Sequence, residues 1–260
     1  AAVWWGRGGC RLKSERLGGV IAPRTSGRGL KFPNNPTGGL CSREDLEGIA
    51  DVLRKYPDVW ILSDEIYEHL VFDGNRFTSF ASIAPDLRDR ILTMNGVAKA
   101  YAMTGWRVGY AGGPKRLIAA MRAVQSNATS GVCTVAQAAA AAALDGPADL
   151  IHDMVATYER RRNLMVSALR DIPGLSCAMP AGAFYVYPGI GTFLGRKTSS
   201  GRVLETDTDF ALAFLDEAHV ATVPGSAFGM APYLRLSCAT SDEALTEACA
   251  RLKRFIASLV

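Results

Sequence analysis

Residues 95–110 read NGVAKAYAMTGWRVGY, which places Lys99 at the end of an apolar run and Arg107 eight residues later. Alanines at 98, 100 and 102 leave room beside the lysine amine, and glycines at 96 and 105 let the backbone bend close to a ligand. An amine that leaves water can attack a carbonyl carbon, so Lys99 is a candidate Schiff-base lysine and Arg107 a candidate anion clamp. The alternative for a lone lysine is a hydrated surface charge.

The composition excludes several other classes of protein. With 260 residues, 48% of them hydrophobic and 21% charged, the chain can bury a core as one large domain or two modest ones. A net charge of +4 without a basic run among aromatic residues does not favour nucleic-acid binding, and no run of about 18 apolar residues predicts a membrane span. Six cysteines without a C-x-x-C pair and three dispersed histidines indicate reduced thiols in a cytoplasmic protein and no metal site.

Upstream of this segment, residues 31–39 read KFPNNPTGG, which predicts a strand that ends in a Pro/Gly turn containing Asn35. An asparagine in such a turn usually bonds its own backbone, so a structural role is one interpretation and a ligand contact the other. Ser42 then predicts the N-cap of a helix, because apolar residues repeat at helical spacing after it.

The next predicted strand ends in polar side chains. Residues 59–62 read VWIL, a continuous apolar run typical of a parallel strand buried on both faces, and Asp64 and Tyr67 follow it. Open parallel sheets bind ligands beyond the carboxyl ends of their strands, and a carboxylate there needs a partner. The alternative is that Asp64 caps the following turn and Tyr67 is a packed aromatic residue.

The downstream pattern alternates strands and helices. A long helix is predicted at 149–171, with Arg160, Arg161 and Arg162 on its solvated face. Strands are predicted at 91–94, leading to Lys99, and at 106–111, with a helix from Pro114 and another over 134–144. The remainder predicts an α+β arrangement, with strands at 183–187, 220–223 and 233–238 and helices at 207–217 and 241–259.

Two further motifs bear on function. Arg235 lies in LRLS and alternates with apolar neighbours, so its side chain points away from them. For a lone strand arginine, an exposed salt bridge is the simplest interpretation. Residues 189–195 read GIGTFLG, which has the wrong glycine spacing for a dinucleotide fingerprint and no helical pattern after it, so we exclude a Rossmann oxidoreductase.

Four segments together resemble the class I/II aminotransferases, the fold-type-I enzymes that use pyridoxal 5'-phosphate, and most closely bacterial aspartate aminotransferases. They are KFPNNPTGG, SDEIY, NGVAKAYAMTGWRVGY and LRLS, and the likeness covers nearly all of the chain from about residue 11. The resemblance implies an α/β fold. Residues 1–156 would form an incomplete large domain, a mostly parallel sheet flanked by helices, and residues 157–260 a smaller α+β C-terminal domain.

The resemblance also implies a role for each candidate residue toward the cofactor. Lys99 would hold pyridoxal 5'-phosphate as a Schiff base and afterwards move a proton. Asp64 would keep the ring nitrogen protonated, which maintains the ring as an electron sink. Tyr67 and Asn35 would bond the phenolic oxygen, and Arg107 would pair with the phosphate.

The implied reaction is transamination between an amino acid, aspartate, and a 2-oxo acid, 2-oxoglutarate. Asn35 would contact the substrate carboxylate, and Arg235 would grip it through two hydrogen bonds. Alternatives are an aromatic or prephenate aminotransferase, a fold-type-I C–S lyase or synthase, and a non-catalytic binding module.

Part of the family pattern has no counterpart in this sequence. It comprises the N-terminal arm, a glycine-rich turn whose helix holds the phosphate, and an aromatic ring that stacks on the pyridine. We therefore expect a fragment of a homodimeric parent whose sites are shared across the subunit interface.

Overall fold

The computed structural model describes residues 14–260, apart from the side chains of Glu15 and Arg16. Residues 1–13, which include the start of the predicted large domain, lie outside the described residues. The strands are β1 (Gly27–Lys31), β2 (Trp60–Asp64), β3 (Ile91–Gly96), β4 (Gly109–Gly112), β5 (Tyr185–Val186), β6 (Val223–Pro224) and β7 (Leu234–Ser237). The helices are α1 (Ser14–Gly18), α2 (Arg43–Arg54), α3 (Phe80–Ile83), α4 (Lys115–Ala128), α5 (Thr134–Leu144), α6 (Asp149–Arg170), α7 (Asp207–Ala218) and α8 (Asp242–Ala257).

A four-stranded sheet in the order β1-β2-β3-β4 carries the candidate residues. The first three strands are parallel and β4 is antiparallel to β3, so the prediction of a mostly parallel sheet flanked by helices is confirmed. The register pairs Lys31 with Asp64 and Asp64 with Met94. The carboxyl ends of the three parallel strands therefore meet at one edge of the sheet.

The predicted N-cap of α2 is confirmed. The Ser42 hydroxyl accepts a hydrogen bond from the Asp45 backbone N–H at 3.1 Å, and the Asp45 carboxylate accepts one from the Ser42 backbone N–H at 2.9 Å. This capping box satisfies two backbone donors that the first turn of a helix leaves without intrahelical partners.

The prediction that β2 is buried on both faces is wrong. Ile61 is 1% exposed, whereas its neighbours Trp60 and Leu62 are 40% and 38% exposed. Side chains alternate along a strand, so the two sets lie on opposite faces of the sheet. Ile61 packs in a hydrophobic cluster with α2, but the described residues supply no comparable apolar layer to the other face.

Two strands begin three residues later than predicted. The predicted strand at 106–111 starts at Gly109, because a 3₁₀ turn at Thr104–Trp106 and a left-handed Arg107 with φ of 56° come first. The predicted strand at 220–223 shortens to Val223–Pro224, the two residues that pair with β7. In both places tertiary pairing sets the strand boundary.

The C-terminal part packs α6, α7 and α8 around a three-stranded antiparallel sheet in the order β5-β7-β6. The hydrophobic cluster there includes Leu169, Phe210, Phe214 and Phe255, and Tyr67, three residues beyond the end of β2, also belongs to it. None of the described helices combines the length and apolarity needed to cross a membrane.

The prediction of a solvated arginine face on α6 is wrong for Arg162. Its side chain is 2% exposed, and its two terminal nitrogens donate to the two oxygens of Asp73, each at 2.7 Å. It also donates to the carbonyl of Pro180 at 2.7 Å and lies over the ring of Phe72. Consecutive helical residues point about 100° apart, so three adjacent arginines cannot share one face.

Candidate active site

Asp64 ends β2 at the carboxyl edge of the first sheet. Its side chain is 14% exposed, and Oδ2 accepts a hydrogen bond from the Lys31 ammonium at 2.7 Å. Oδ1 accepts a longer bond from the backbone N–H of Ile66 at 3.3 Å, so the carboxylate also caps the following turn. Lys31 is thus the cationic partner that a carboxylate needs at this position. The sequence did not indicate Lys31, because only the register of β1 and β2 brings it next to Asp64.

Lys31→Met is expected to destabilise the chain by about 1 to 2 kcal/mol, because Asp64 then keeps only one backbone donor. Adding Asp64→Asn should recover part of this loss, since no charge is left unpaired. Thermal unfolding of the two single variants and the double variant measures the coupling. Lys55→Met, at an exposed lysine after α2, is the matched control. Strictly additive effects of the two substitutions on the free energy of unfolding would show that the Lys31–Asp64 ion pair does not stabilise the chain.

Tyr67 is a buried phenol at the centre of the site. It is 1% exposed, its hydroxyl lies 3.0 Å from the hydroxyl of Tyr185, and its ring meets Phe184 edge-on at 5.5 Å. Burial raises the pKa of Tyr67 above its usual range. Tyr67 therefore remains a neutral phenol at physiological pH and can donate a hydrogen bond.

Lys99 lies in a compact turn that follows β3. The Ala102 N–H donates to the Lys99 carbonyl at 3.1 Å, and the Thr104 hydroxyl donates to the Ala98 carbonyl at 3.0 Å. The side chain is half-buried, with its amine 5.7 Å from the centre of the Phe184 ring. Because Phe184 also contacts Tyr67, one ring lies against both the amine and the phenol.

Asn34 and Asn35 have separate roles in the 31–39 turn. Asn34 closes the turn, since its side-chain oxygen accepts from the Thr37 N–H at 3.2 Å. The side-chain oxygen of Asn35 instead accepts from Arg235 at 2.8 Å, 200 positions away in the chain. That contact leaves the amide hydrogens of Asn35 as hydrogen-bond donors.

Arg235 points away from its buried neighbours in β7, as the alternation predicts. Its guanidinium lies 4.6 Å from the ring centre of Tyr185 and 5.0 Å from that of Phe228. The described contacts of Arg235 are thus an amide and two aromatic rings, rather than the acid that an exposed salt bridge requires. A guanidinium oriented between two rings retains donors for a carboxylate.

Arg107 lies on the same loop as Lys99 but is exposed. It donates to the carbonyl of Thr104 at 3.0 Å, and Thr104 in turn contacts the residue before Lys99. Arg107 also lines an open cavity of about 690 Å³ together with Trp106, Gln125 and Cys133. The described contacts bring the other five candidates into one cluster and leave Arg107 at its margin.

Three residues of the cluster were missed at the level of sequence: Lys31, Phe184 and Tyr185. Phe184 and Tyr185 were predicted only as part of a strand, and their partners come from other elements. Through them a continuous set of contacts runs from Asn35 and Arg235, by way of Tyr185 and Tyr67, to Phe184 and Lys99. Strand alternation indicates which face a residue occupies but not which distant side chain it meets.

The chain belongs to the aminotransferase class I and II family, whose profile matches residues 29–252. Its fold is that of the fold-type-I aminotransferases. It superposes on the crystal structure of the aspartate aminotransferase from Rhizobium meliloti with a TM-score of 0.93 and 48% sequence identity, covering 97% of this chain and 63% of that one.

Two curated relatives are similar over most of the chain. The aspartate aminotransferase of Rhizobium meliloti (strain 1021) is 50% identical over 244 residues, which is 94% of this chain and 60% of the relative. The aspartate/prephenate aminotransferase of Cereibacter sphaeroides is 49% identical over 251 residues, which is 96% of this chain and 63% of the relative. The chain therefore spans about three fifths of the length of each of these relatives.

Proposed function

We propose that this chain is part of a pyridoxal-phosphate-dependent transaminase that exchanges the amino group of aspartate with 2-oxoglutarate. The observation that carries the proposal is the cluster of Lys99, Asp64 and Tyr67 at the carboxyl edge of the sheet, with the Asn35–Arg235 pair beside it. The names of the relatives support aspartate, and the name of the Cereibacter protein adds prephenate as a second candidate.

The chemistry of the side chains fits this cofactor. Lys99 offers an amine for an aldehyde, and Asp64 offers an acceptor for a ring N–H because each carboxylate oxygen has a second lone pair beyond its present bond. Tyr67 and the amide of Asn35 offer donors for a phenolic oxygen, and Arg107 is exposed to receive a phosphate. When bound, the cofactor supplies an electron sink conjugated to the substrate Cα.

The residues of the chain would then carry out three tasks. Arg235 would bind the substrate α-carboxylate, its plane held by Tyr185 and Phe228. The amine of Lys99 would take the proton from the substrate Cα as a general base and, as a general acid, would donate it at the C4′ carbon of the cofactor. Asp64 would keep the ring nitrogen protonated, and Lys31, which donates to the Asp64 carboxylate, would hold this carboxylate in position.

We also propose that the chain divides into a partial cofactor-binding domain, residues 1–156, and a small domain, residues 157–260. Two separate hydrophobic clusters support the division, one around α2 and the first sheet and one around α6, α7 and α8. As the family resemblance implies, the parent would be a cytoplasmic homodimer.

The test is conversion of aspartate and 2-oxoglutarate to oxaloacetate and glutamate by the chain with added pyridoxal 5'-phosphate, repeated with the full-length parent. Turnover by either supports the proposal, and turnover by the parent alone identifies this chain as an inactive fragment. Release of ammonia or a thiol from the amino acid, without transfer of its amino group to 2-oxoglutarate, would instead indicate a lyase. Parallel assays with prephenate test the second candidate substrate.

Arg235→Gln is expected to raise the KM for aspartate about 10- to 100-fold, because a neutral amide replaces a charged, two-point contact with the carboxylate. Arg196→Gln is the matched control, since Arg196 also lies over a phenylalanine ring but is exposed outside the cluster. Steady-state kinetics at varied aspartate concentration measure the effect. Equal KM values for the two variants would show that Arg235 does not bind the substrate.

A further inference from the structure

We propose that Tyr185 is a positioning residue that donates its hydroxyl proton to Tyr67 and so directs the Tyr67 proton into the cofactor site. The inference rests on the proposed function, in which Tyr67 bonds the phenolic oxygen of the cofactor. It adds a residue that no motif assigns, and it connects the cofactor side of the site to the arginine on the substrate side.

The two phenols form a buried hydrogen-bonded pair. Their oxygens are 3.0 Å apart, their rings meet edge-on at 6.0 Å, and Tyr67 and Tyr185 are only 1% and 7% exposed. Each hydroxyl carries a single proton, so one of the two must donate to the other. If Tyr185 donates its proton to Tyr67, the proton of Tyr67 remains available for a hydrogen bond to a ligand. If Tyr67 is the donor, its proton is used in the bond to Tyr185.

The surrounding charges favour Tyr185 as the donor. The Arg235 guanidinium lies 4.6 Å from the Tyr185 ring centre, and its hydrogen-bond partner among the described residues, Asn35, carries no charge that would offset this cation. A cation over a phenol ring stabilises its electron density and makes its O–H a stronger donor. Lys31 lies 5.4 Å from the Tyr67 ring centre, but the Asp64 carboxylate at 2.7 Å offsets that charge.

The backbone holds this arrangement in place. Tyr185 lies in β5, which pairs with β7, and the register sets Tyr185 opposite Ser237, two residues beyond Arg235. The tyrosine and the arginine are thus fixed by adjacent strands of one small sheet. Two O–H groups donating in sequence polarise each other, so Tyr185 would strengthen the hydrogen bond that Tyr67 gives to the cofactor.

The test is the pH dependence of the visible absorbance of the chain with pyridoxal 5'-phosphate, compared between the unsubstituted chain and Tyr185→Phe. A hydrogen bond donated to the phenolic oxygen draws electron density from the nitrogen that joins Lys99 to the cofactor, so stronger donation lowers the pH at which this nitrogen loses its proton. Tyr185→Phe should therefore raise the midpoint by about 0.3 to 1 pH unit. Tyr67→Phe should raise it further.

Tyr158→Phe is the matched control. Tyr158 packs against the same Phe184 ring as Tyr185, but the hydroxyl that contacts Tyr67 belongs to Tyr185. Its midpoint should equal that of the unsubstituted chain. A lower midpoint in Tyr185→Phe would mean that Tyr67 donates its proton to Tyr185. An unchanged midpoint would mean that Tyr185 does not act on Tyr67. Either result overturns the inference. A chain that develops no visible band with the cofactor overturns this inference, whereas the proposed function is then decided separately by turnover of the full-length parent.

A second variant keeps the inference testable if Tyr185→Phe folds poorly. Arg235→Met removes the cation over the Tyr185 ring and should also raise the midpoint. Combined with Tyr185→Phe, it should add little, because its effect passes through the Tyr185 hydroxyl. Full additivity of the two shifts would contradict the inferred coupling.

Discussion

Lys99→Ala is expected to abolish covalent attachment of pyridoxal 5'-phosphate to the chain and to lower any transaminase activity about a thousandfold or more. The reason is that this amine has two tasks in the proposed function, as the group that attaches the cofactor and as the acid-base group at the substrate Cα. Its half-buried position against Phe184 orients it for both. Borohydride reduction followed by peptide mass spectrometry identifies the modified lysine.

Lys115→Ala is the matched control, because Lys115 is an exposed lysine in the first turn of α4. It should leave the cofactor adduct, the absorbance band and the turnover unchanged. An adduct of undiminished intensity in Lys99→Ala, or one distributed over several exposed lysines, would show that Lys99 is not the cofactor lysine.

Arg162→Ala is expected to lower the free energy of unfolding by about 2 to 4 kcal/mol, which corresponds to a fall in Tm of roughly 5 to 15 °C. The variant loses two hydrogen bonds to Asp73, leaves the Pro180 carbonyl without its donor and removes packing over Phe72. Arg162→Lys should recover little, because an ammonium cannot form the same two-point contact. Chemical and thermal unfolding measure the losses.

Arg160→Ala tests whether burial causes this effect. Arg160 is 57% exposed, and its partner Asp242 retains Arg161 at 2.9 Å, so the loss should stay below about 1 kcal/mol. Similar losses for Arg160→Ala and Arg162→Ala would contradict the structural role of Arg162.

The pH dependence of the free energy of unfolding provides a second test of the Arg162–Asp73 interaction. Arg162 lowers the pKa of Asp73 in the folded chain. The resulting stabilisation is complete above the unfolded pKa of an aspartate and is lost as the pH falls through the lowered folded value. The difference in stability between the unsubstituted chain and Arg162→Ala should therefore narrow on acidification.

Local patterns in the sequence were sufficient for much of the fold. Ser42 begins α2 as predicted, because a hydroxyl three residues before an acid satisfies backbone donors within one turn. Asp64 and Lys99 lie at or just beyond strand ends as predicted, because apolar runs and the polar residues after them mark the carboxyl edge of a sheet. These inferences depend on residues that are neighbours in the chain.

Contacts between distant segments could not be predicted in this way. The sequence by itself determined which residues could form strands, helices, turns and an amine-centred site, because propensity and spacing act over a few residues. Only the tertiary structure decided that Lys31 neutralises Asp64, that Tyr185 meets Tyr67 and Arg235, that Arg162 is buried and that one face of β2 is exposed. Strand register and helix packing set these contacts, and both are properties of the whole assembled chain.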